Sequence, residues 1–403
     1  MNSLQVFLNH REKLNVGRLL YKDRKIFFEY ESEFLKSSLE ISPYKLPLKE
    51  GLFECEDMTF EGLWGVFNDS LPDGWGRLLF ERHLRKLGIN AQSISPLERL
   101  SYVGRFGMGA LSYEPEEEIK STALDKIVLD DLATHSQAIL KGSSEELLDE
   151  LLRLGGSSAG ARPKALIQIN ESSNEIIHGT QILAEGFTHW MVKFASSSDG
   201  KEVGAVEYAY SLMAKDAKLD MPKTTLLQDK KGSYFACERF DRVGDERIHM
   251  HTVAGLIHSD FRYPSLDYDD LLTLCLHLTK SVVEQKKVFR LACFNLFAHN
   301  RDDHSKNFSF LMNEQGEWSF SPVYDITFSS GPGGEHSTMY LGEGKNPTIT
   351  HLLKLAEKHQ IKEGTKIVKE VQETINKWSK FAKVAGVSRN TELSIGKIFK
   401  RLM

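Results

Sequence analysis

Four cysteines in 403 residues, Cys55, Cys237, Cys275 and Cys293, are too few to staple the chain and too scattered for a CxxC metal or redox pair. They read as reduced, mostly buried thiols. The amino terminus MNSLQVFLNHREKLNVG lacks the apolar core and small-residue cleavage site of a secretion signal. No later stretch approaches the ~20 apolar residues of a bilayer span. A cytoplasmic protein without membrane contact is the expectation. An excess of positive charge is missing too. A formal net charge of -5 gives no whole-chain attraction to phosphate backbones, so contact with DNA needs a local basic patch or a partner. The absence of GxSxG and HExxH disfavours the hydrolases built on them, and the absence of GxxxxGK[ST] disfavours a P-loop NTPase.

What is present is an ordinary globular composition, 41% hydrophobic and 27% charged, enough to bury a core and to divide into two or three domains. Residues 1–115 form a strand-rich unit: LQVFL (4–8), VGRLLY (16–21) and KIFFEY (25–30) alternate or cluster apolar residues between charged breaks. LPDGWGRLLFERHL opens with a Pro72-Asp73-Gly74 turn and continues with helical spacing, and GRFGMGAL (104–111) is a Gly-punctuated loop running into a strand. The acidic EPEEEIKSTAL (114–124) is a surface connection.

Residues 116–240 hold a helix capped by Ser143 or Ser144 and ending at Gly155-Gly156, then the loop SSAGARPK. Strands ALIQI (165–169) and HWMVKF (189–194), a helix over 203–219 and a strand YFACERF (234–240) follow. Residues 241–403 are mainly helical, with helices over 267–280 and 284–300 and two or three amphipathic helices in the last 55 residues.

Phosphoryl transfer asks little covalent chemistry of a protein but strict placement: a lysine on the phosphates, a carboxylate at the attacking hydroxyl and oxygen ligands for magnesium. Asp302 and Asn307 in HNRDDHSKN stand in a D-x4-N relation before the strand-like FSFLM. Taken alone, the pair is as well explained by a solvated loop in which Asp caps a turn. Asp325 in SPVYDI lies 23 residues past Asp302, after a hairpin, where a second metal-holding carboxylate belongs. Lys193 ends the apolar run HWMVK, where an unpaired ammonium would pay heavily for desolvation, and Glu207 on the following helix is a candidate partner. Singly, Lys193 snorkelling from a strand edge and Glu207 on an exposed helix face are equally good readings. The order Lys, Glu, Asp-x4-Asn, Asp is what carries the combination.

CERFDR (237–242) fits a linker between lobes that offers backbone groups near Glu238 and Phe240 to an adenine ring, or a plain strand end with an Arg-Asp pair. SSAGARPK (157–164) is small enough for backbone amides to approach phosphates, with Lys164 adding charge. His304 has no spaced Cys or His set and reads as a polar loop histidine.

At these residues the sequence resembles the HipA family of toxin kinases along nearly its whole length. VGRL, FFEY, LPDG and GMGAL look like the family's small strand-rich domain. S-x-x-G-A-x-x-K from Ser157 to Lys164 looks like its phosphate-side loop, and WMVKF, ERFDR, FNLFAHNRDDHSKNFSFL and SPVYD are similar to its core motifs. The resemblance implies Asp302 as catalytic base, Asn307 and Asp325 as magnesium ligands and Lys193 on the ATP phosphates. It also implies nucleotide contacts from Ala159, Gly160, Ala161, Arg162, Pro163 and Lys164, from Glu238, Arg239 and Phe240, from His304, Ser305, Lys306 and Asn307, and from Tyr324 beside Asp325. Ser157 matches the serine such kinases phosphorylate on themselves, and Ser158 offers a second hydroxyl. Such a chain pairs with a small DNA-binding, HipB-like antitoxin, touches DNA through it, and phosphorylates a protein, aminoacyl-tRNA synthetases being known substrates of the family.

The expected architecture is α+β: a two-lobed protein-kinase-like core with a small strand-rich N-terminal domain and a helical C-terminal end. A small-molecule phosphotransferase, and an inactive co-repressor that only binds an antitoxin, are the competing readings.

Overall fold

The computed structural model describes residues 1–117, 128–143, 146–155, 160–179, 182–196, 199–230 and 232–402. Strand Ser3–Asn9 buries Leu4, Val6 and Leu8 on one face, as period-2 alternation demands. It lies between strands Lys13–Lys22 and Leu111–Glu114, and Lys25–Tyr30 and Leu52–Glu54 complete a five-stranded antiparallel sheet. Its inner face packs with Trp64, Phe67, Leu97 and Leu100 into one core.

A second five-stranded antiparallel sheet runs in the order Glu175–His178, Lys164–Asn170, Thr188–Lys193, Ser233–Glu238, Thr224–Gln228. Helix Gly74–Lys86, although it lies in the chain between two strands of the first sheet, contributes Trp75, Leu79, Phe80 and Leu84 to the core of this second sheet. Helix Val203–Asp216 lies close over strand Ser233–Glu238. Gly204 makes that approach possible, because a Cβ there would fall 2.9 Å from the Ser233 carbonyl oxygen.

The remaining chain forms a large helical core around Tyr268–Thr279 and Val282–Phe297, with a small antiparallel sheet of His249–Thr252, Ser309–Met312 and Trp318–Phe320. Asp267 and Ser281 cap those two helices through side-chain bonds to the amides of Asp269 and Glu284.

Helix Pro96–Val103 and strands Glu175–His178, Thr224–Gln228 and His249–Thr252 were not anticipated, and the described elements differ from expectation at three further places. Ser143 closes helix Leu129–Lys141, its amide bonding the Ala138 carbonyl, and so does not start the next helix, which runs Leu148–Gly155; Ser144 lies outside the described residues. Leu129–Lys141 itself went unread because its polar majority masks the buried Leu129, Leu132 and Ile139. The carboxyl-terminal end holds four helices, Ile349–Lys358, Gly364–Ile375, Trp378–Val384 and Arg389–Leu402, where two or three were expected.

Buried polar contacts tie the first sheet to the rest. Arg247 donates to the carbonyls of Arg105, Gly107, Gly109 and Leu111, Arg242 to those of Gly107 and Gly109, and Asp241 accepts the Gly109 amide. His251 bonds Ser42 Oγ at 3.0 Å and Asp69 Oδ2 at 2.6 Å. That order resembles a hydrolytic triad, but Ser42 and His251 are both fully buried, so no substrate can reach them. Among the described residues no helix is long and apolar enough to cross a membrane.

Candidate active site

The sheet register sets two lysines side by side: Lys164, the first residue of its strand, pairs with Lys193, the last of its own. Like charges in register need anions, and these come from different elements. The Lys193 ammonium bonds Glu207 of helix Val203–Asp216 at 2.5 Å and also bonds Asp325. Glu207 is buried and Lys193 nearly so. Burial works against the Lys193 charge, but Asp325 and then Glu207 outweigh it and hold the ammonium well above the ordinary lysine range. Burial likewise opposes ionisation of Asp325, yet Lys193 and Lys164 keep its carboxyl far below the usual range. Lys164 is buried, and that burial pushes its own pKa down.

Asp325 follows the strand Trp318–Phe320 with φ of +54°, a left-handed conformation uncommon outside glycine. Such strain persists where the surroundings fix it. Here Tyr324 supplies the fixing contacts, its hydroxyl donating to the Lys306 carbonyl at 2.7 Å and bonding Ser309 Oγ at 2.5 Å. The Tyr324 ring also lies 5.7 Å from that of Phe240.

The loop after helix Val282–Phe297 carries adjacent aspartates with different surroundings. Asp303 is buried and accepts from the Tyr268 hydroxyl, His336 Nδ1 and the amides of Ser337 and Thr338. Asp302 is exposed, and its pKa is raised, first by partial withdrawal from water and then by Asp325 and Asp303, against the opposing effect of His304. Asn307 Nδ2 donates to the Asp302 carbonyl at 2.6 Å, which closes the D-x4-N loop on itself. Ser305 Oγ donates to the Ser259 carbonyl, and the His304 ring lies 5.6 Å from Phe261. His304 Nδ1 is buried with no hydrogen-bond partner among the described residues.

Of the loop before Lys164, Ser157, Ser158 and Ala159 lie outside the described residues. Gly160 has φ of +105°, and a Cβ there would meet Lys164 Nζ at 2.5 Å. Arg162 pairs with Asp199, and the Pro163 carbonyl accepts the Phe194 amide. In the segment expected to link the lobes, the Arg239 guanidinium forms a buried bidentate pair with Asp241. The Glu238 amide is bonded to the Lys223 carbonyl.

The structure thus brings together Lys193, Glu207, Asp325, Lys164 and Asp302. It adds a residue that sequence spacing did not single out. Asp73 accepts the Gly160 amide and pairs with Lys306 Nζ at 2.5 Å, whereas Pro-Asp-Gly reads in sequence as turn chemistry alone. Asn307 and Asp325 are the side chains suited to a divalent cation. Among the described residues no three His, Cys, Asp or Glu side chains converge as a metal centre. Magnesium needs no such cage, since it keeps waters and phosphate oxygens around one or two protein carboxylates.

A HipA N-terminal domain model matches residues 4–114 and a HipA-like C-terminal domain model matches residues 156–379. A protein of Haemophilus influenzae named "Putative kinase" is 24% identical over 135 residues, which take in 30% of this chain and 39% of that protein's length. A Helicobacter pylori structure, the proinflammatory kinase CtkA, is similar over 53% of this chain and 94% of its own at 15% identity, with a TM-score of 0.32. HipA in the Shewanella oneidensis MR-1 complex with HipB and operator DNA superposes with a TM-score of 0.71 over 99% of this chain and 95% of that one, at 17% identity. The fold is therefore shared along the length of the chain, and with the C-terminal model alone covering more than half of it, the protein belongs to the HipA family.

Proposed function

We propose that this chain is an ATP-dependent serine/threonine protein kinase acting as the toxin of a bacterial toxin-antitoxin pair. The observation that carries this reading is the Lys193 ammonium shared by Glu207 and Asp325, with the exposed Asp302 close enough to Asp325 to feel its charge. A cation and three carboxylates from four separate elements converge on one place, at a cost in desolvation and repulsion that packing alone would not select.

The residues fit magnesium-ATP. His304 Nδ1 is buried without a hydrogen-bond partner among the described residues, and at Gly160 the Lys164 ammonium comes so close that a Cβ would stand 2.5 Å from it. Bound magnesium-ATP supplies a γ-phosphoryl group whose developing charge must be neutralised. Lys193, oriented by Glu207, would hold the nucleotide's phosphate oxygens, and Asn307 with Asp325 would hold the metal. Residues 160–164 and 304–307 would offer amides and cations to its phosphates, and residues 238–240 with Tyr324 would border its base; the expected contact from Ala159 lies outside the described residues. Asp302 takes the proton of the incoming serine or threonine hydroxyl; its raised pKa makes it a better acceptor than an ordinary surface carboxylate.

The division into a strand-rich unit (1–115), a phosphate-loop lobe (116–240) and a helical lobe (241–403) belongs to the same reading. A HipB-like DNA-binding antitoxin is the proposed partner, supported by the neighbour solved with HipB and operator DNA and by a net charge that favours touching DNA through another protein. The proposed substrate is a cytoplasmic protein, of the aminoacyl-tRNA synthetase kind. Autophosphorylation at Ser157 or Ser158 is the proposed off-switch, since a phosphate adds about -1.5 to -2 charge to a loop that receives phosphates. Phosphoproteomics after brief expression, comparing the chain with Asp302→Asn, tests the activity and identifies the target. New phosphoserine or phosphothreonine peptides should depend on Asp302. Labelled sugars or antibiotics without phosphoprotein would make it a small-molecule phosphotransferase instead.

A further inference from the structure

We infer that Asp73 is a positioning residue of this site, setting Lys306 and the Gly160 end of the phosphate loop in register for the γ-phosphate. The inference rests on the kinase reading above and extends it to the turn that opens helix Gly74–Lys86.

The Asp73 carboxylate serves donors from two loops at once. One oxygen accepts the Gly160 amide and the other binds Lys306 Nζ at 2.5 Å, with the Lys306 side chain 6% exposed and that of Asp73 19%. Withdrawal from water opposes its ionisation, but Lys306, Gly160 and Lys164 outweigh that and hold the carboxyl below the usual range, so it is an anion at neutral pH. A buried ammonium and a half-buried loop amide each need an acceptor, and one carboxylate supplies both. Displacing it displaces both.

The turn bearing Asp73 is itself fixed on the loop. Trp75 donates its amide to the Gly160 carbonyl at 3.0 Å, so residue 160 is held at its N–H by Asp73 and at its C=O by Trp75. Gly74 has φ of +41°, and a Cβ there would stand 2.6 Å from the Gly160 carbonyl oxygen and 2.7 Å from Ala161 Cα, so only glycine lets the turn lie this close. On the other side, Lys306 sits over the Phe261 ring at 4.6 Å, and its carbonyl accepts from Tyr324, the residue before Asp325.

Lys306 lies in the loop that holds Asp302, the group facing the acceptor hydroxyl in this reading. Its charge therefore belongs at the transferring phosphoryl and not at the α- or β-phosphates. Asp73 acts through Lys306 and Gly160 without touching the nucleotide.

Asp73→Asn in the full chain keeps an acceptor for the Gly160 amide and removes the charge that faces Lys306. Calorimetric titration with magnesium-ADP and with the magnesium complex of the β,γ-imido analogue of ATP separates the outcomes. ADP affinity should stay within about twofold, imido-analogue affinity should fall about tenfold, and kcat should fall by at least about tenfold. Hydrogen exchange of the peptide spanning 160–164, in protein without nucleotide, should be near parental for Asp73→Asn and faster for Asp73→Ala, which lacks the acceptor. Lys306→Met reads the same pair from its other member and should discriminate the two nucleotides in the same way. Combining it with Asp73→Asn should add less than about twofold to its loss.

Equal loss of both nucleotides, tighter binding of the imido analogue, unchanged binding, or multiplicative losses in the double variant would overturn the inference. Should the parent chain bind neither nucleotide, the kinase reading fails and this inference falls with it. If the parent binds both and the discrimination is absent, the inference alone falls.

Discussion

Asp303 is sealed inside the protein by four hydrogen bonds, while Asp302, its neighbour in the chain, stays exposed and feels the charge of Asp325. The buried member fixes the loop backbone, and the loop then presents the open one.

The two aspartates should therefore fail in different ways. Asp303→Asn puts an amide among donors from Tyr268, His336, Ser337 and Thr338 and should cost about 3 kcal/mol, read as a lower urea midpoint. Asp302→Asn removes a carboxylate already raised in pKa and should leave the midpoint within about 0.5 kcal/mol of the parent. Equal destabilisation by both would contradict the division of roles.

Lys193→Met strands the buried Glu207 without its cation and should destabilise by about 3 kcal/mol while abolishing ATP binding. Adding Glu207→Gln removes the stranded charge. It should recover more than half of the lost stability and none of the binding, measured by denaturant unfolding and calorimetry. Purely additive losses would mean that the pair is not coupled.

His249 gives a pH signature. Burial, then the neighbouring His251, pushes its pKa down to about 3, and its Nε2 bonds the Ile41 carbonyl at 2.9 Å. The unfolded chain takes up a proton near pH 6.5 and the folded chain does not. Stability from this group is present above that value and is lost as pH falls toward 3, by up to about 1.4 kcal/mol per pH unit. The advantage of the parent over His249→Gln in urea midpoint should shrink across that window. A constant difference would rule the assignment out.

The Ser42, His251 and Asp69 chain should behave as structure. Ser42→Ala should cost about 1 kcal/mol in thermal unfolding, and a fluorophosphonate probe should leave the parent unlabelled. Labelling at Ser42 would reveal an access route that the buried packing forbids.

The elements with one dominant period were legible in the sequence. LQVFL, KIFFEY and ALIQI are short apolar-rich runs that form strands, and the apolar run through Phe294 and Phe297 forms a buried helix. Helix Leu129–Lys141 was not, because polar residues interrupt its apolar ones and the segment 114–124 upstream is acidic. For the site, Lys193 ending an apolar strand pointed to a carboxylate partner and Glu207 on the following helix was a candidate, but each residue alone read equally well as surface chemistry, and only the order Lys, Glu, Asp-x4-Asn, Asp joined them. The contribution of Asp73 depends on a contact between residues 87 apart in the chain, which no local pattern encodes. The same holds for Arg247, whose four carbonyl partners belong to a glycine loop more than a hundred residues upstream.

The central claim is that Asp302, beside the Lys193, Glu207 and Asp325 cluster, accepts the proton of a protein hydroxyl as phosphate moves to it. The direct measurement is the rate of labelled phosphate transfer from magnesium-ATP to protein serine or threonine by the chain and by Asp302→Asn, both at saturating nucleotide. The account predicts a loss of about 10²–10⁴-fold in the variant with its melting temperature unchanged. Equal rates in the two folded proteins would contradict it.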